Sequence, residues 1–131
     1  AAYAKNKRLK IYAIGGVQKC ADRFVNCSPF EVLSYFTNAE EVITDTFHGT
    51  IFSIITKQKF TTLVRKSVGT SYGNEEKLTD LLVRLGLSER IAFSIDEVFE
   101  HQSKSIDYDA VHTLINKERI RTFEYLKHEV K

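Results

Sequence analysis

The sequence predicts an α/β fold in which a parallel sheet of about four strands carries helices on both faces. Segments typical of strands alternate with segments typical of helices, in the order β, α, β, α, β, α, weak β, α. Right-handed crossovers between such strands give a parallel sheet covered by helices, a Rossmann-like arrangement. With 131 residues, 43% of them hydrophobic, the chain also has the size and composition of a single domain, residues 1–131.

The first strand and helix are predicted from their end signals. Residues 9–14 alternate more and less apolar side chains and stop at Gly15 and Gly16, as a strand before a turn does. Residues 17–27 lack periodicity and are predicted as a loop. Ser28 is a capping residue, Pro29 suits the first helical position and Glu31 completes a capping box, so a helix is predicted from there to about Asn38.

The middle of the chain contains the sharpest turn. Residues 41–44 form a short predicted strand, and a turn over residues 45–49 leads into a predicted helix over residues 50–57. Most sides of that helix are apolar, which requires a largely covered position. Its polar line, formed by Thr50, Ser53 and Lys57, has helical spacing and is expected to face a cleft.

The last third of the chain is predicted to be mainly helical. Residues 60–64 are the next strand, and residues 68–74, with two glycines, are predicted as a mobile loop. A helix over residues 75–85 has leucines on one face and Gly86 as its stop. A weak strand is predicted over residues 90–94. A long helix over residues 107–130 has an apolar stripe made of Val111, Leu114, Ile115, Phe123, Leu126 and Val130.

Composition excludes several classes of protein. The net charge of +2 gives no electrostatic basis for binding nucleic acid, and no run of 18 apolar residues predicts a membrane span. Cys20 and Cys27 are expected to be reduced thiols in a cytoplasmic protein, since their spacing matches no metal or redox motif. Methionine is absent, even at position 1, which favours an excised piece of a longer chain.

The segment Thr44-Asp45-Thr46-Phe47-His48-Gly49-Thr50 is the candidate site. Ligands of parallel sheets bind beyond the carboxyl ends of the strands, and unpaired N–H groups at a helix start favour an anion. Gly49 leaves room for close approach, His48 can donate a hydrogen bond or move a proton, and Asp45 can hold an imidazole or the loop backbone. Alternatively, Asp45 caps the turn and His48 is merely packed.

The same segment carries a resemblance to a known family. Residues 41–55 with Lys59 and Phe60 resemble the signature block of the polysaccharide pyruvyl transferases, where TDSFHG or TDRLHG is typical. Other pieces agree in order along nearly the whole chain: Ser28-Pro29-Phe30-Glu31, the Leu81-Leu82-x-x-Leu85-Gly86-Leu87-x-x-Arg90 segment, and Ile106-Asp107-Tyr108 before the final helix.

The resemblance implies a fold and an activity. The chain would be the C-terminal half of a two-domain enzyme of the GT-B type, with its active site in the cleft towards a missing N-terminal domain. Such enzymes are expected to transfer a pyruvyl group from phosphoenolpyruvate, as a ketal, to a sugar of a surface or extracellular polysaccharide precursor. The partners are then phosphoenolpyruvate and a glycan or sugar-nucleotide acceptor, with no metal and no other cofactor. Self-association of the fragment, which alone is expected to be inactive, is also predicted.

The resemblance also implies residue roles. His48 and Asp45 are the predicted catalytic residues, and the predicted substrate contacts are Thr44, Thr46, Gly49, Thr50, Ser53 and Arg65. Thr46 stands where one branch of the family has Arg, and Arg65, just past the third strand, is a candidate to supply that charge. The alternatives are a GT-B-like glycosyltransferase that uses a nucleotide sugar and a non-catalytic module that binds sugar phosphates.

Overall fold

A computed structural model of the protein describes residues 1–15, 18–65 and 75–129, and it shows a mixed α/β structure. Every strand pairing within the described residues is parallel, which confirms this part of the predicted class. The strands lie in a two-stranded and a three-stranded sheet, whereas one sheet of about four was expected. The chain divides into two compact units, residues 1–40 and residues 41–131. The predicted loop at residues 68–74 lies outside the described residues.

The first unit contains two helices and a small sheet: α1 (Ala2–Asn6), β1 (Tyr12–Ile14), β2 (Arg23–Val25) and α2 (Pro29–Asn38). Strand β1 pairs in parallel with β2. The latter lies inside residues 17–27, so the prediction of an uninterrupted loop is wrong there. Three residues are too few to show a period-two pattern, and two of them, Arg23 and Phe24, are exposed.

Helix α2 begins where its signals predicted. The Ser28 hydroxyl accepts a hydrogen bond from the Glu31 N–H at 3.4 Å, and Pro29 occupies the first helical position. Its missing N–H costs nothing there, because the first N–H groups of a helix have no intrahelical partner. The predicted start and the predicted end at Asn38 are both confirmed.

The second unit contains three strands and four helices among its described residues. In chain order they are β3 (Val42–Thr44), α3 (Phe47–Ile55), β4 (Phe60–Leu63), α4 (Glu75–Arg84), a 3-10 turn (Ser88–Arg90), β5 (Ile91–Ala92), α5 (Ile95–Gln102) and α6 (Tyr108–Glu129). The strand order is β3-β4-β5, with Thr44 opposite Thr62 and Thr62 opposite Ile91. The carboxyl ends of β3 and β4 therefore lie at one edge of the sheet.

Helix α4 has the leucine face that the sequence predicts. Leu78 and Leu82 are fully buried, together with Phe60 of β4. Gly86 ends the helix region in the left-handed conformation, at φ +70°, and the Leu87 N–H donates to the Leu82 carbonyl at 2.7 Å. Glycine reaches this conformation without steric cost, which is why it stops helices efficiently.

Helix α5 was not predicted from the sequence. The Ser94 hydroxyl accepts from the Glu97 N–H at 3.3 Å, and the Glu97 carboxylate accepts from the Phe93 N–H at 2.6 Å. These contacts resemble a capping box, except that the Glu97 carboxylate accepts from the residue before the cap, Phe93, and not from the cap residue Ser94 itself. The Ser-x-x-Glu pattern was therefore a usable signal. The weak strand expected over residues 90–94 is present, shortened to Ile91–Ala92.

Two buried polar side chains hold the beginning of β4. Arg90, 1% exposed, donates from Nε to the Phe60 carbonyl at 2.6 Å and from Nη1 to the Lys104 carbonyl at 2.8 Å. Burial lowers the pKa of this guanidinium. Gln102 accepts from the Thr61 hydroxyl at 2.6 Å. Buried polar groups persist when they are hydrogen-bonded in this way, and here they join β4 to α5 and to the chain after it.

Helix α6 buries only its first half. Val111 is buried and Leu114 is half-buried, and a side chain added at Gly86 would lie 3.3 Å from Leu114. From Arg119 to Glu129 every residue is exposed, including Phe123 and Leu126. Two residues of the predicted apolar stripe, Phe123 and Leu126, are therefore exposed rather than packed against the rest of the unit. Within the described residues no helix is both long and apolar enough to cross a membrane.

Candidate functional site

The candidate site is built on the carboxyl ends of β3 and β4. Asp45 follows β3 and Arg65 follows β4 by two residues, and the parallel register carries both to the same edge. Asp45 Oδ2 lies 3.8 Å from Arg65 Nε, with side chains 50% and 64% exposed. Such an exposed pair contributes only about 0–1 kcal/mol to stability. The main effect of the pair is to position the Arg65 guanidinium at Asp45, in the turn that precedes His48.

Helix α3 begins three residues earlier than predicted. Its first residue is Phe47, and Thr46 is the cap, with its hydroxyl accepting from the Gly49 N–H at 3.0 Å. The Thr50 N–H donates to the Thr46 carbonyl at 3.1 Å, as an interior residue of a helix does. The prediction of a helix N-terminus at Thr50 is therefore wrong. The helix start that favours negative charge lies at residues 47–48 instead.

Gly49 is required by packing within the chain. A Cβ added there would overlap the Thr44 hydroxyl and would lie 2.8 Å from Thr46 Oγ1. The two threonine hydroxyls are themselves 3.3 Å apart. They fill the space beside Gly49, so the expectation that this glycine leaves room for a ligand is wrong. Thr44 and Thr46 accordingly serve to shape the turn between β3 and α3.

Two further predicted contacts are buried inside the unit. Thr50 and Ser53 have no exposed surface. The Thr50 hydroxyl donates to the Thr46 carbonyl at 2.8 Å and lies 2.9 Å from the Thr62 hydroxyl, while the Ser53 hydroxyl donates to the Gly49 carbonyl at 2.8 Å. The expectation that this polar line faces a cleft is wrong for both residues, because their hydroxyls join α3 to its own backbone and to β4.

His48 lies on the exposed side of the first turn of α3. Its ring has an edge contact with Phe47, at 6.1 Å between centroids, and a tilted contact with Phe52 at 6.5 Å. No hydrogen bond joins His48 to Asp45 in the part of the chain that the structure describes, since Asp45 faces Arg65. The imidazole is therefore accessible to a ligand, and the expected orientation by Asp45 is absent.

An open groove of about 550 Å³ lies beside His48, between the first turn of α3 and helix α4. The described residues that line it are Phe47, His48, Lys77, Asp80, Leu81 and Arg84. Arg84 Nε lies 3.2 Å from Asp80 Oδ1. Of these residues only His48 belongs to the predicted site. The signal for the others was the spacing of Lys77 and Arg84, which places both on one face of α4.

The described residues contain no group of three or more His, Cys, Asp or Glu side chains arranged to hold a metal ion. The site instead offers a guanidinium beside a carboxylate, an accessible imidazole and a groove with two cationic side chains. Such groups can bind an anion and move a proton. No protein-family profile, curated protein or solved structure matches this chain at a significant level.

Proposed function

We propose that this chain is the Rossmann-like half of a transferase resembling the polysaccharide pyruvyl transferases, which moves a pyruvyl group from phosphoenolpyruvate to a sugar. The observation that supports this most directly is the pairing of Asp45 with Arg65 at the sheet edge, three residues along the chain before the accessible His48. The resemblance in sequence supplies the donor and the reaction. The edge offers a guanidinium and an imidazole, the kinds of group that can bind a small phosphorylated acid.

Arg65 is the proposed contact for the carboxylate or phosphate of the donor. A guanidinium binds such groups in a bidentate manner, and Asp45 orients it without burying it. This role replaces the one first considered for Asp45, which was to hold His48. Thr46 carries no charge, and its hydroxyl caps α3.

His48 is the proposed proton-transfer residue. In ketal formation two sugar hydroxyls add to the central carbon of phosphoenolpyruvate, phosphate leaves, and the methylene carbon gains one proton to become a methyl group. Of the two protons that the hydroxyls lose, one goes to that methyl group and one leaves with phosphate. A positioned imidazole that passes one of them on contributes typically about 10²–10⁴-fold to the rate.

Ligand protection tests this proposal against a glycosyltransferase. The protein is heated with phosphoenolpyruvate, with a UDP- or GDP-sugar, or with neither, and its unfolding temperature is measured. Phosphoenolpyruvate is expected to stabilise the protein, because a ligand that binds only the folded state raises its stability. Arg65→Gln should abolish that shift while leaving the unliganded unfolding temperature nearly unchanged. Protection by the nucleotide sugar alone would contradict the proposal and support a nucleotide-sugar-dependent enzyme.

A further inference from the structure

We propose that the groove between α3 and α4 binds a hexose that carries a phosphate, with the phosphate at Lys77 and the sugar ring over Phe47 and Leu81. This inference rests on the proposed function only in taking the bound sugar as the acceptor. The groove itself is defined by its own lining residues and is separate from the Asp45–Arg65 pair, neither of which lines it.

The charges of α4 are sorted between two faces. Lys77 and Arg84 line the groove beside His48, whereas Glu75 and Glu76 line a second hollow on a neighbouring face of the helix. Asp80 lies between the two faces and lines both. The groove therefore presents two cationic groups to a ligand, although the helix as a whole carries three acidic side chains and only two basic ones.

The two cations of the groove have different roles. Arg84 is already paired with Asp80 at 3.2 Å, whereas no ion pair to Lys77 exists among the described residues. Lys77 also lies in the first turn of α4, where the positive end of the helix dipole favours an anion. The phosphate is therefore assigned to Lys77. Arg84 and Asp80 together present donors and acceptors that suit sugar hydroxyls.

The floor and the length of the groove favour a sugar over a bare phosphate. Arg84 follows Lys77 by seven positions in the helix, about 10 Å along the axis. Phe47 and Leu81 form an apolar surface in the same groove, on which the C–H face of a hexose ring can lie. His48 lines the same groove, so the hydroxyls of a sugar bound there would lie beside the imidazole.

Calorimetric titration tests this assignment in the purified protein. The ligands are glucose 1-phosphate, UDP-glucose, glucose and inorganic phosphate, at low ionic strength. The two sugar phosphates are expected to bind at least about 10-fold more tightly than glucose or inorganic phosphate, since they alone engage both the cation and the apolar floor. Lys77→Gln should weaken their binding at least about 10-fold, as the loss of a charged contact does. Lys127→Gln, the same charge change on the exposed end of α6, is the matched control and should change nothing.

The results separate the ligand sources and the two proposals. Tighter binding of UDP-glucose identifies a nucleotide-linked sugar, and equal binding of glucose 1-phosphate identifies the sugar phosphate itself; both support the assignment. Equal weakening by both lysine variants, inorganic phosphate that binds as tightly as the sugar phosphates, or no saturable binding at all overturns it. If the sugar phosphates bind in a way that depends on Lys77 but phosphoenolpyruvate does not stabilise the protein, the assignment of the groove is supported. Phosphoenolpyruvate is then refuted as the donor.

Discussion

Replacement of Gly49 by alanine is expected to destabilise the protein, although alanine is normally the better residue inside a helix. The gain in helix propensity amounts to at most about 1 kcal/mol. Against it, the new Cβ would overlap the Thr44 hydroxyl, lie 2.8 Å from Thr46 Oγ1 and lie 3.1 Å from Thr44 Cβ. Overpacking of this kind typically costs about 1–3 kcal/mol. The first turn of α3 would have to shift, and with it the ring of His48.

Urea denaturation measures the energetic cost of this overlap. The four proteins compared are the wild type, Gly49→Ala, Thr44→Ala and the double variant. Because the new Cβ overlaps the Thr44 hydroxyl outright, the upper end of the overpacking cost applies, about 3 kcal/mol, and subtraction of the propensity gain of about 1 kcal/mol leaves an expected net loss of about 2 kcal/mol for Gly49→Ala. The loss should be smaller in the Thr44→Ala background, because the overlapping hydroxyl is gone. A double-mutant cycle isolates that coupling. A Gly49→Ala protein as stable as the wild type, or more stable, would refute the reasoning.

Two further predictions concern stability. Ser28→Ala should lower the free energy of unfolding by about 0.5–2 kcal/mol, and the loss should be near the lower value because the bond from the Glu31 N–H is long, at 3.4 Å. Ser28→Asp should retain the cap, and a Ser28→Ala protein as stable as the wild type in a urea titration would contradict the cap. Tyr108 donates to the Gln58 carbonyl, and burial raises the pKa of its hydroxyl. The unfolded chain then ionises first, so the stability from Tyr108 is full below its ordinary pKa of about 10 and falls as pH rises above it. Tyr108→Phe should lower the free energy of unfolding at pH 7 by about 1–3 kcal/mol. It should also make the free energy of unfolding fall less steeply with pH above pH 10. If that dependence on pH is the same as in the wild type, the burial of the Tyr108 hydroxyl is contradicted.

Signals confined to a few neighbouring residues predicted local structure well. Ser28, Pro29 and Glu31 fixed the start of α2, and Gly86 fixed the end of α4, because each acts on backbone groups within one turn. The same signals were ambiguous at α3. Three threonines, at positions 44, 46 and 50, are each chemically able to cap a helix, and the choice of Thr46 depends on how the turn packs.

Features that depend on pairing between distant segments were harder to predict. The contact of Asp45 with Arg65 requires the register of β3 against β4, which no local pattern specifies. The groove requires α3 to lie against α4, so Lys77 and Arg84 had no assigned partner from spacing alone. The burial of Thr50 and Ser53 likewise follows from the approach of α3 to β4, which reverses the usual assignment of hydroxyls to a polar face.

The central claim is that His48 moves a proton in pyruvyl transfer at the edge formed by β3 and β4. The direct measurement is phosphate release from phosphoenolpyruvate, in the presence of a sugar acceptor, by the full-length protein and its His48→Ala, His48→Gln and His128→Ala variants. Loss of a proton-transfer group should slow His48→Ala by about 10²-fold or more. His48→Gln should be similarly slow, since glutamine can bind but cannot titrate, and His128→Ala, changed at an exposed residue of α6, should match the wild type. A His48→Ala protein that releases phosphate at the wild-type rate would contradict the account.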